Sequence, residues 1–295
     1  MPDSVRPRRS ALYMPGSNAR ALEKGRDLPA DCLIMDLEDA CPPDRKADAR
    51  GMIADTLAEG GYGAREIMVR VNGLETDWGE DDVRGMGGCG AHALVLPKVE
   101  SAAAVQKAEA LMHAAGAPEA VALWCMIETP RGILRAEEIA TASPRLGGLI
   151  MGTADLAKDL HCDHGADRFA LLPHLSRCVL VARATGLGIL DGVHFDLEDE
   201  EGFVASCKQG AALGFDGKTL IHPKTIAAAN AAFGPSDEEV EESRAIIAAF
   251  DAARAAGKGV AVLNGKLVEN LHVETARRVL AMADMIGAQE EATSR

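Results

Sequence analysis

Short apolar runs recur along the chain between residues 11 and 221, and polar or glycine-rich segments separate them. The eight runs are Ala11–Met14, Cys32–Leu37, Ile67–Val71, Ala93–Leu96, Val121–Ile127, Gly148–Met151, Gly188–Leu190 with Val193, and Lys218–Ile221. Continuous apolar runs of this length are typical of strands that are buried on both faces.

Helical patterns lie between most of these runs. They are Ala19–Leu28, Arg45–Glu59, Ser101–Ala115, Arg131–Thr141, Phe169–Thr185, Asp199–Leu213 and Pro223–Ala232. The glycine-rich segment Gly79–Gly90, between the third and fourth runs, predicts a weak or truncated helix. Strands that alternate with helices indicate parallel pairing.

Eight strand–helix units predict a (β/α)8 TIM barrel over residues 1–234. A doubly wound sheet usually has fewer strands and a Gly-x-Gly-x-x-Gly turn directly after its first strand, and no such turn follows Ala11–Met14. Residues 235–295 are surplus to the barrel and predict two further helices, Asp237–Ala256 and Val273–Ile286, joined through a possible hairpin at Asn264-Gly265. We expect this C-terminal helical extension to fold as a lid over the barrel mouth or onto a neighbouring subunit.

The net charge of the chain argues against some classes of binding partner. The 295 residues carry a net charge of −14, which argues against nonspecific binding to nucleic acid or to an anionic membrane. No apolar run approaches the length of a membrane span. An anionic substrate would therefore need a local cluster of Arg and Lys.

The cysteines and the N-terminus both predict a cytoplasmic protein. Met1–Arg9 is polar and basic with no apolar region behind it, so it does not resemble a secretory signal. The seven cysteines show no Cys-x-x-Cys spacing and are expected to be reduced, mostly buried thiols.

Two apolar runs are each followed by a carboxylate. Glu128 comes directly after Val121–Ile127, and Asp155 follows Gly148–Met151 within a few residues. In a barrel both would lie on the C-terminal face, on neighbouring strands, where they could share a Mg²⁺ ion. The alternative is that each acid is a helix N-cap or a solvated loop charge.

Other polar residues are expected on the same face. They are Pro15-Gly16-Ser17-Asn18, Asp36, Glu38, Asp39, Arg70, Asn72, Lys98, Asp191, His194 and His222-Pro223. The fork of Arg70 suits a substrate carboxylate. An ion pair with Glu38 or Asp39 is the alternative, and both roles could hold together. The segment His161-Cys162-Asp163-His164 fits no zinc spacing and predicts a polar loop.

The order of several motifs resembles a known family. The motifs are Arg9-Ser10-Ala11-Leu12-Tyr13-Met14-Pro15-Gly16, Asp36-Leu37-Glu38-Asp39-Ala40, Val69-Arg70-Val71-Asn72-Gly73, Ile127-Glu128-Thr129, Gly152-Thr153-Ala154-Asp155-Leu156, Gly214-Phe215-Asp216-Gly217-Lys218 and Ile221-His222-Pro223. Together they resemble the citrate lyase β-subunit family within the HpcH/HpaI aldolase group, which includes malyl-CoA and citramalyl-CoA lyases. The resemblance runs from about residue 9 to residue 281.

The resemblance implies a barrel enzyme that uses Mg²⁺, with Mn²⁺ as an alternative, and that acts on an acyl-CoA and a small 2-oxo acid. Glu128 and Asp155 would hold the metal and contact the substrate. Arg70 would bind the carboxylate or carbonyl of the acid and act in catalysis, and Ala154 would line the same pocket. The residues implied to contact CoA are Tyr13, Asn18, Lys24, Ile221 and His222.

The resemblance also implies an oligomer, a homotrimer or hexamer. Relatives carry a C-terminal Gly-Lys-x-x-Asp-x-Pro-His segment whose Asp reaches the neighbouring subunit's site as an acid or base. In this chain the corresponding segment places Glu269 at the Asp position and Leu271 at the Pro position. Glu269 is therefore the implied second catalytic residue, with a carboxylate one methylene further from the backbone.

Three functions are compatible with this pattern. The first is a Mg²⁺-dependent carbon–carbon lyase that cleaves or forms a β-hydroxyacyl-CoA such as malyl-CoA or citramalyl-CoA. The second is a (3S)-malyl-CoA thioesterase with the same metal and arginine. The third is a citrate lyase β subunit that depends on partner chains. None of them requires a Schiff-base lysine, although Lys98 occupies a position that would allow one.

Overall fold

A computed structural model describes residues 6–165 and 167–293 and shows a closed parallel barrel. The strands are β1 (Ser10–Pro15), β2 (Cys32–Asp36), β3 (Glu66–Arg70), β4 (Ala93–Leu96), β5 (Ala122–Ile127), β6 (Leu146–Met151), β7 (Gly188–Asp191) and β8 (Gly217–Leu220). Each strand pairs with the next, and the barrel closes between β1 and β8, where Ser10 faces Lys218. The predicted (β/α)8 fold is confirmed.

The helices surround this barrel. They are α1 (Ala19–Gly25), α2 (Lys46–Glu59), α3 (Gly79–Met86), α4 (Ala102–Ala114), α5 (Pro130–Leu134), α6 (Ala136–Ala140), α7 (Thr153–Leu160), α8 (Leu172–Thr185), α9 (Glu200–Leu213) and α10 (Ile226–Phe233). Short 3₁₀ turns at Pro43–Arg45 and Pro223–Thr225 precede α2 and α10. The short α3 agrees with the weak helix expected there.

Two helix predictions were wrong. The pattern over 131–141 predicts one helix, but the helix is interrupted at Arg135 and forms α5 and α6. Helix α7 was not predicted. It starts directly after β6 and buries Leu156 and Ala157, so its single apolar turn was too short to show a helical period.

Trp124 lies inside the barrel and is fully buried. Its ring lies against Gly148 and Gly188 of the neighbouring strands, and a Cβ atom at Gly148 would overlap the ring. These glycines therefore make room for one large side chain among the smaller residues of the barrel interior.

The substitution Gly148→Ala is expected to lower the free energy of unfolding by about 1–3 kcal/mol, because the added methyl group overfills the space that Trp124 occupies. Urea unfolding followed by circular dichroism measures the change. The control is Gly51→Ala in α2, where the new methyl group meets no atom within 4 Å and helix propensity favours alanine by about 0.5–1 kcal/mol. Equal stability of the G148A variant and the wild type would show that Trp124 shifts freely.

The C-terminal extension has a small core of its own. It comprises α11 (Asp237–Ala255), the antiparallel strands β9 (Ala261–Leu263) and β10 (Lys266–Val268), and α12 (Asn270–Thr293). Its core includes Ala261, Val268 and Val273, with residues of α11 packed against them. The hairpin predicted at Asn264-Gly265 is confirmed, and both of these residues have positive φ.

The far end of α12 attaches to the barrel at the face where the strands begin. Gln289 donates a hydrogen bond to Asp31, and Glu290 forms an ion pair with Arg9. At 1.5 Å per residue, the start of α12 lies about 29 Å from Gln289 along the helix axis. Glu269, which precedes α12, is exposed to solvent.

No helix within the described part of the chain is long and apolar enough to cross a membrane. The prediction for Met1–Arg9 concerns a segment whose first five residues lie outside the described residues, and residues 294–295 of the extension also lie outside them.

Candidate active site at the carboxyl ends of the strands

Glu128 lies at the end of β5 and is almost completely buried, with 2 % of its surface exposed. Thr129 caps α5 and Pro130 begins it, so the chain turns away from the sheet directly after Glu128. The backbone N–H of Lys98 donates a hydrogen bond of 2.7 Å to Glu128 Oε1. Burial raises the pKa of the Glu128 carboxyl to about 7, and the negative charges of Glu38 and Asp155 act in the same direction.

Asp155 comes to the same region from the neighbouring strand. It lies in the first turn of α7 together with Ala154, directly after β6. The carboxylate is partly exposed and bonds to Lys158 at 3.1 Å. Gly152, between β6 and α7, packs so closely on the Glu128 side chain that a Cβ atom would collide with it. The negative charge of Asp155 acts on the Glu128 carboxyl, so the two carboxylates lie near each other.

Arg70, at the end of β3, is held by two acids from the end of β2. Its Nε and Nη2 donate to both oxygens of Asp36 at 2.7 and 2.6 Å, and its Nη1 lies 2.9 Å from Glu38 Oε2. Asp39 is more distant, at 3.6 Å. The ion pair with Glu38 was foreseen as an alternative, whereas the tighter pairing with Asp36 was not. The guanidinium also lies over the ring of Tyr13, 4.7 Å from its centre.

Lys98 connects this group with Glu128. Its ammonium donates to Glu38 Oε1 at 2.6 Å, while its backbone N–H bonds to Glu128. The backbone of Lys98 is left-handed, with φ of 50°, which is uncommon for a residue other than glycine. Burial raises the pKa of the Glu38 carboxyl, and the Arg70 and Lys98 cations oppose that shift.

Two other residues that follow the strands belong to buried polar networks. Asn72 accepts from Lys46 and donates to Asp82 and to a backbone carbonyl. Asp191 binds Arg168 and Lys218. Burial alone would raise the pKa of the Asp191 carboxyl, but the Lys218 and Arg168 cations hold it below its usual range. Neither Asn72 nor Asp191 offers a free group to a ligand.

The residues that the resemblance assigned to CoA border β1 and β8, which pair with each other. Tyr13 is half-buried beside Arg70, and Asn18 caps α1 by accepting from the N–H of Ala21 at 3.2 Å. Lys24, Ile221 and His222 are exposed. Of this set, Tyr13 contacts Arg70, whereas Lys24 lies in the last turn of α1.

A cavity of about 570 Å³ adjoins Ala154 between α7 and α9. Among the described residues, its lining atoms His164 Nε2, His194 Nε2 and Ser206 Oγ are buried without a hydrogen-bond partner. Burial lowers the pKa of both imidazoles. Within residues 6–165 and 167–293, no group of three or more His, Cys, Asp or Glu side chains is arranged as a metal site, and the 161–164 segment is a loop after α7.

The family model for HpcH/HpaI aldolase/citrate lyase matches residues 9–223. Over 98 % of this chain and 99 % of the relative, the chain is 50 % identical to a (3S)-malyl-CoA thioesterase of Cereibacter sphaeroides. It is 37 % identical to the citrate lyase subunit beta of Escherichia coli, over 97 % of both chains. It is also 36 % identical to an L-malyl-CoA/beta-methylmalyl-CoA lyase of Cereibacter sphaeroides, over 97 % of this chain and 98 % of the relative.

A solved structure is similar as well. The crystal structure of protein CitE from Mycobacterium tuberculosis in complex with magnesium, acetoacetate and coenzyme A has a TM-score of 0.75 with this chain and is 29 % identical to it. The match covers 96 % of this chain and all of that one. The resemblance drawn from the ordered motifs is therefore confirmed at the level of the family.

Proposed function

The chain belongs to the HpcH/HpaI aldolase/citrate lyase family, and on that basis we propose that it is a Mg²⁺-dependent thioesterase that hydrolyses (3S)-malyl-CoA to malate and CoA. The observation that carries this proposal is the 50 % identity to a (3S)-malyl-CoA thioesterase over nearly the full length of both chains. The identity to the malyl-CoA lyase is lower, at 36 %. The sequence pattern favoured the lyase first, and the comparisons support the thioesterase better.

The proposed metal ligands are Glu128 and Asp155, with Mg²⁺ as the ion and Mn²⁺ as the alternative. Two carboxylates that lie near each other suit a hard divalent cation, which commonly takes one or two protein carboxylates and completes its coordination with water and substrate oxygens. The like charges of Glu38, Glu128 and Asp155 also favour a cation here. When bound, the ion supplies Lewis-acid polarisation of a substrate oxygen.

Arg70 is the proposed contact for the acid end of the substrate and for charge that develops on oxygen during the reaction. Its guanidinium is fixed by Asp36, so the guanidinium itself stays in place when a negative oxygen binds or forms beside it. Ala154 would line the same pocket from the first turn of α7. The residues proposed to contact the CoA moiety are Tyr13, Asn18, Lys24, Ile221 and His222.

The hydrolytic step requires a proton acceptor. Water adds to the thioester carbonyl carbon and the carbon–sulfur bond breaks. One proton of the water finally resides on the CoA sulfur, and the other is released to solvent when the new carboxylic acid ionises. We assign the transfer of the proton that reaches the sulfur to Glu269 of a second copy of the chain, because Glu269 occupies the acid position of the C-terminal motif and is exposed on the extension (residues 235–295). This assignment implies a homo-oligomer, a trimer or a hexamer, in which the extension serves as a lid on its neighbour.

Product analysis tests the proposal. The purified protein is incubated with Mg²⁺ and (3S)-malyl-CoA, and the CoA species are separated by chromatography. Free CoA and malate are expected in equal amounts. Acetyl-CoA and glyoxylate would instead identify a lyase, in which the same metal ligands and Arg70 act on the carbon–carbon bond.

The lyase remains the second candidate because the malyl-CoA lyase shares 36 % of its residues with this chain over nearly the full length. A citrate lyase β subunit that depends on partner chains is the third. It is supported by the 37 % identity to the subunit of Escherichia coli. Turnover of any CoA ester by the isolated chain would exclude that dependence.

A further inference from the structure

Lys98 uses its backbone and its side chain on two different acids of the site. The backbone N–H bonds to Glu128 from the end of β5, and the ammonium bonds to Glu38 from the end of β2. Both distances are short, at 2.7 and 2.6 Å. A left-handed backbone at a lysine is unfavourable by itself, so the surrounding contacts hold it in place.

The carboxylate of Glu38 contacts two cations, one at each oxygen. Its Oε1 receives the Lys98 ammonium, and its Oε2 faces Nη1 of Arg70 at 2.9 Å. The side chain of Glu38 is 10 % exposed, and a carboxylate removed from water in this way needs charged partners. If Lys98 were absent, Arg70 would be the cation among the described residues that remains in direct contact with the Glu38 carboxylate.

The two acids on Arg70 differ in how firmly they are fixed. Asp36 is fully buried, accepts two N–H groups from Arg70 and also accepts the backbone N–H groups of Glu38 and Ala40. Glu38 meets only the Nη1 end of the guanidinium. An anionic oxygen that binds Arg70 would therefore displace Glu38 and leave Asp36 in place.

We propose that Lys98 is a positioning residue that retains Glu38, so that Nη1 of Arg70 can exchange this internal acid for a carboxylate oxygen of the substrate. Lys98 thereby sets the affinity of the site for the acid end of the substrate without touching it. The inference rests on the proposed function, because that function assigns Arg70 to a substrate oxygen.

Glycine at position 98 separates the two roles of the residue. Glycine adopts the left-handed backbone without strain, so Lys98→Gly keeps the N–H bond to Glu128 and removes the side chain with its ammonium. We expect KM for (3S)-malyl-CoA to rise about 10- to 100-fold, the effect of weakening one hydrogen bond to a charged group, with a smaller change in kcat. The rise in melting temperature caused by Mg²⁺ should persist, because Glu128 is unchanged.

A second substitution tests the competition directly. In the variant K98G/E38Q the acid at position 38 is neutral and no longer holds Arg70, so KM should return towards the wild-type value. Lys98→Arg, which restores a cation, should also lower KM relative to K98G. The control is Lys258→Gly, which removes an exposed lysine from the loop between α11 and β9, and its KM should match the wild type.

Binding of malate in the presence of Mg²⁺, measured by calorimetry, provides a readout that does not depend on turnover. Weaker binding to K98G and recovered binding to K98G/E38Q support the inference. The inference is wrong if K98G binds malate as well as the wild type does, or if K98G/E38Q binds it no better than K98G. In either case the proposed function stands. If the wild type neither binds malate nor hydrolyses the thioester, the proposed function fails and the inference fails with it.

Discussion

The variant Glu128→Gln is expected to lose more than about 100-fold of kcat/KM for (3S)-malyl-CoA, because losing even an outer partner of a metal ligand commonly costs 10- to 100-fold. Glutamine has nearly the same volume as glutamate, and its amide oxygen can still accept the backbone N–H of Lys98. The substitution therefore removes one negative charge and one anionic metal ligand with little disturbance of the end of β5.

Two measurements separate loss of metal binding from loss of fold. Mg²⁺ should raise the melting temperature of the wild type, since a ligand that binds only the folded state stabilises it, and it should leave that of E128Q nearly unchanged. The matched control is Glu137→Gln, an exposed acid in α6, which should behave like the wild type. A variant E128Q that still responds to Mg²⁺ and turns over normally would remove Glu128 from the metal site.

The variant Arg70→Lys is expected to lower kcat/KM by about 100- to 1000-fold, the range observed when one preorganised donor to a developing oxyanion is lost. Lysine keeps the positive charge but cannot reproduce the fork that binds both oxygens of Asp36. The ammonium would settle on Asp36 or Glu38 and would present no fixed donor to the substrate.

Because Arg70 is part of a buried ion network, the folded state must be verified for this variant. Removing one partner of a buried ion pair costs about 3–5 kcal/mol, so R70K is preferred to a neutral substitution, and circular dichroism reports whether it is folded. Arg131→Lys is the control, since the Arg131 side chain is 66 % exposed in α5. If folded R70K has near-normal activity, a group other than Arg70 binds the substrate carboxylate.

Most of the strands could be predicted because they are short, largely apolar runs that are buried on both faces, whereas β8 carries Lys218 and Thr219 between Gly217 and Leu220. The acids Glu128 and Asp155 could be placed together for a topological reason, since strand ends in a parallel barrel share one face. The short helix α7 could not be predicted, because Thr153–Leu160 contains too few apolar positions to define a period.

Pairing among the polar residues of the site was harder to predict. Three acids at the end of β2, Asp36, Glu38 and Asp39, were candidate partners of Arg70. The register of β2 against β3 places Asp36 directly opposite Arg70. Asn72 follows β3 at a position where a substrate-binding residue could lie, yet its amide forms hydrogen bonds with Lys46 and Asp82. The double role of Lys98 depends on a left-handed backbone that the residue type gives no reason to expect.

The extension has one feature that the barrel lacks. Closure of the barrel pairs every one of its eight strands on both sides, so in the part of the chain that the structure describes, open sheet edges occur only in the hairpin of β9 and β10. Its strands have three residues each, and Val262 and Leu267 expose apolar side chains there. Strands this short limit uncontrolled edge-to-edge aggregation. The hairpin that leads into Glu269 therefore has unpaired backbone groups that a neighbouring chain could bind, with little risk of fibre growth.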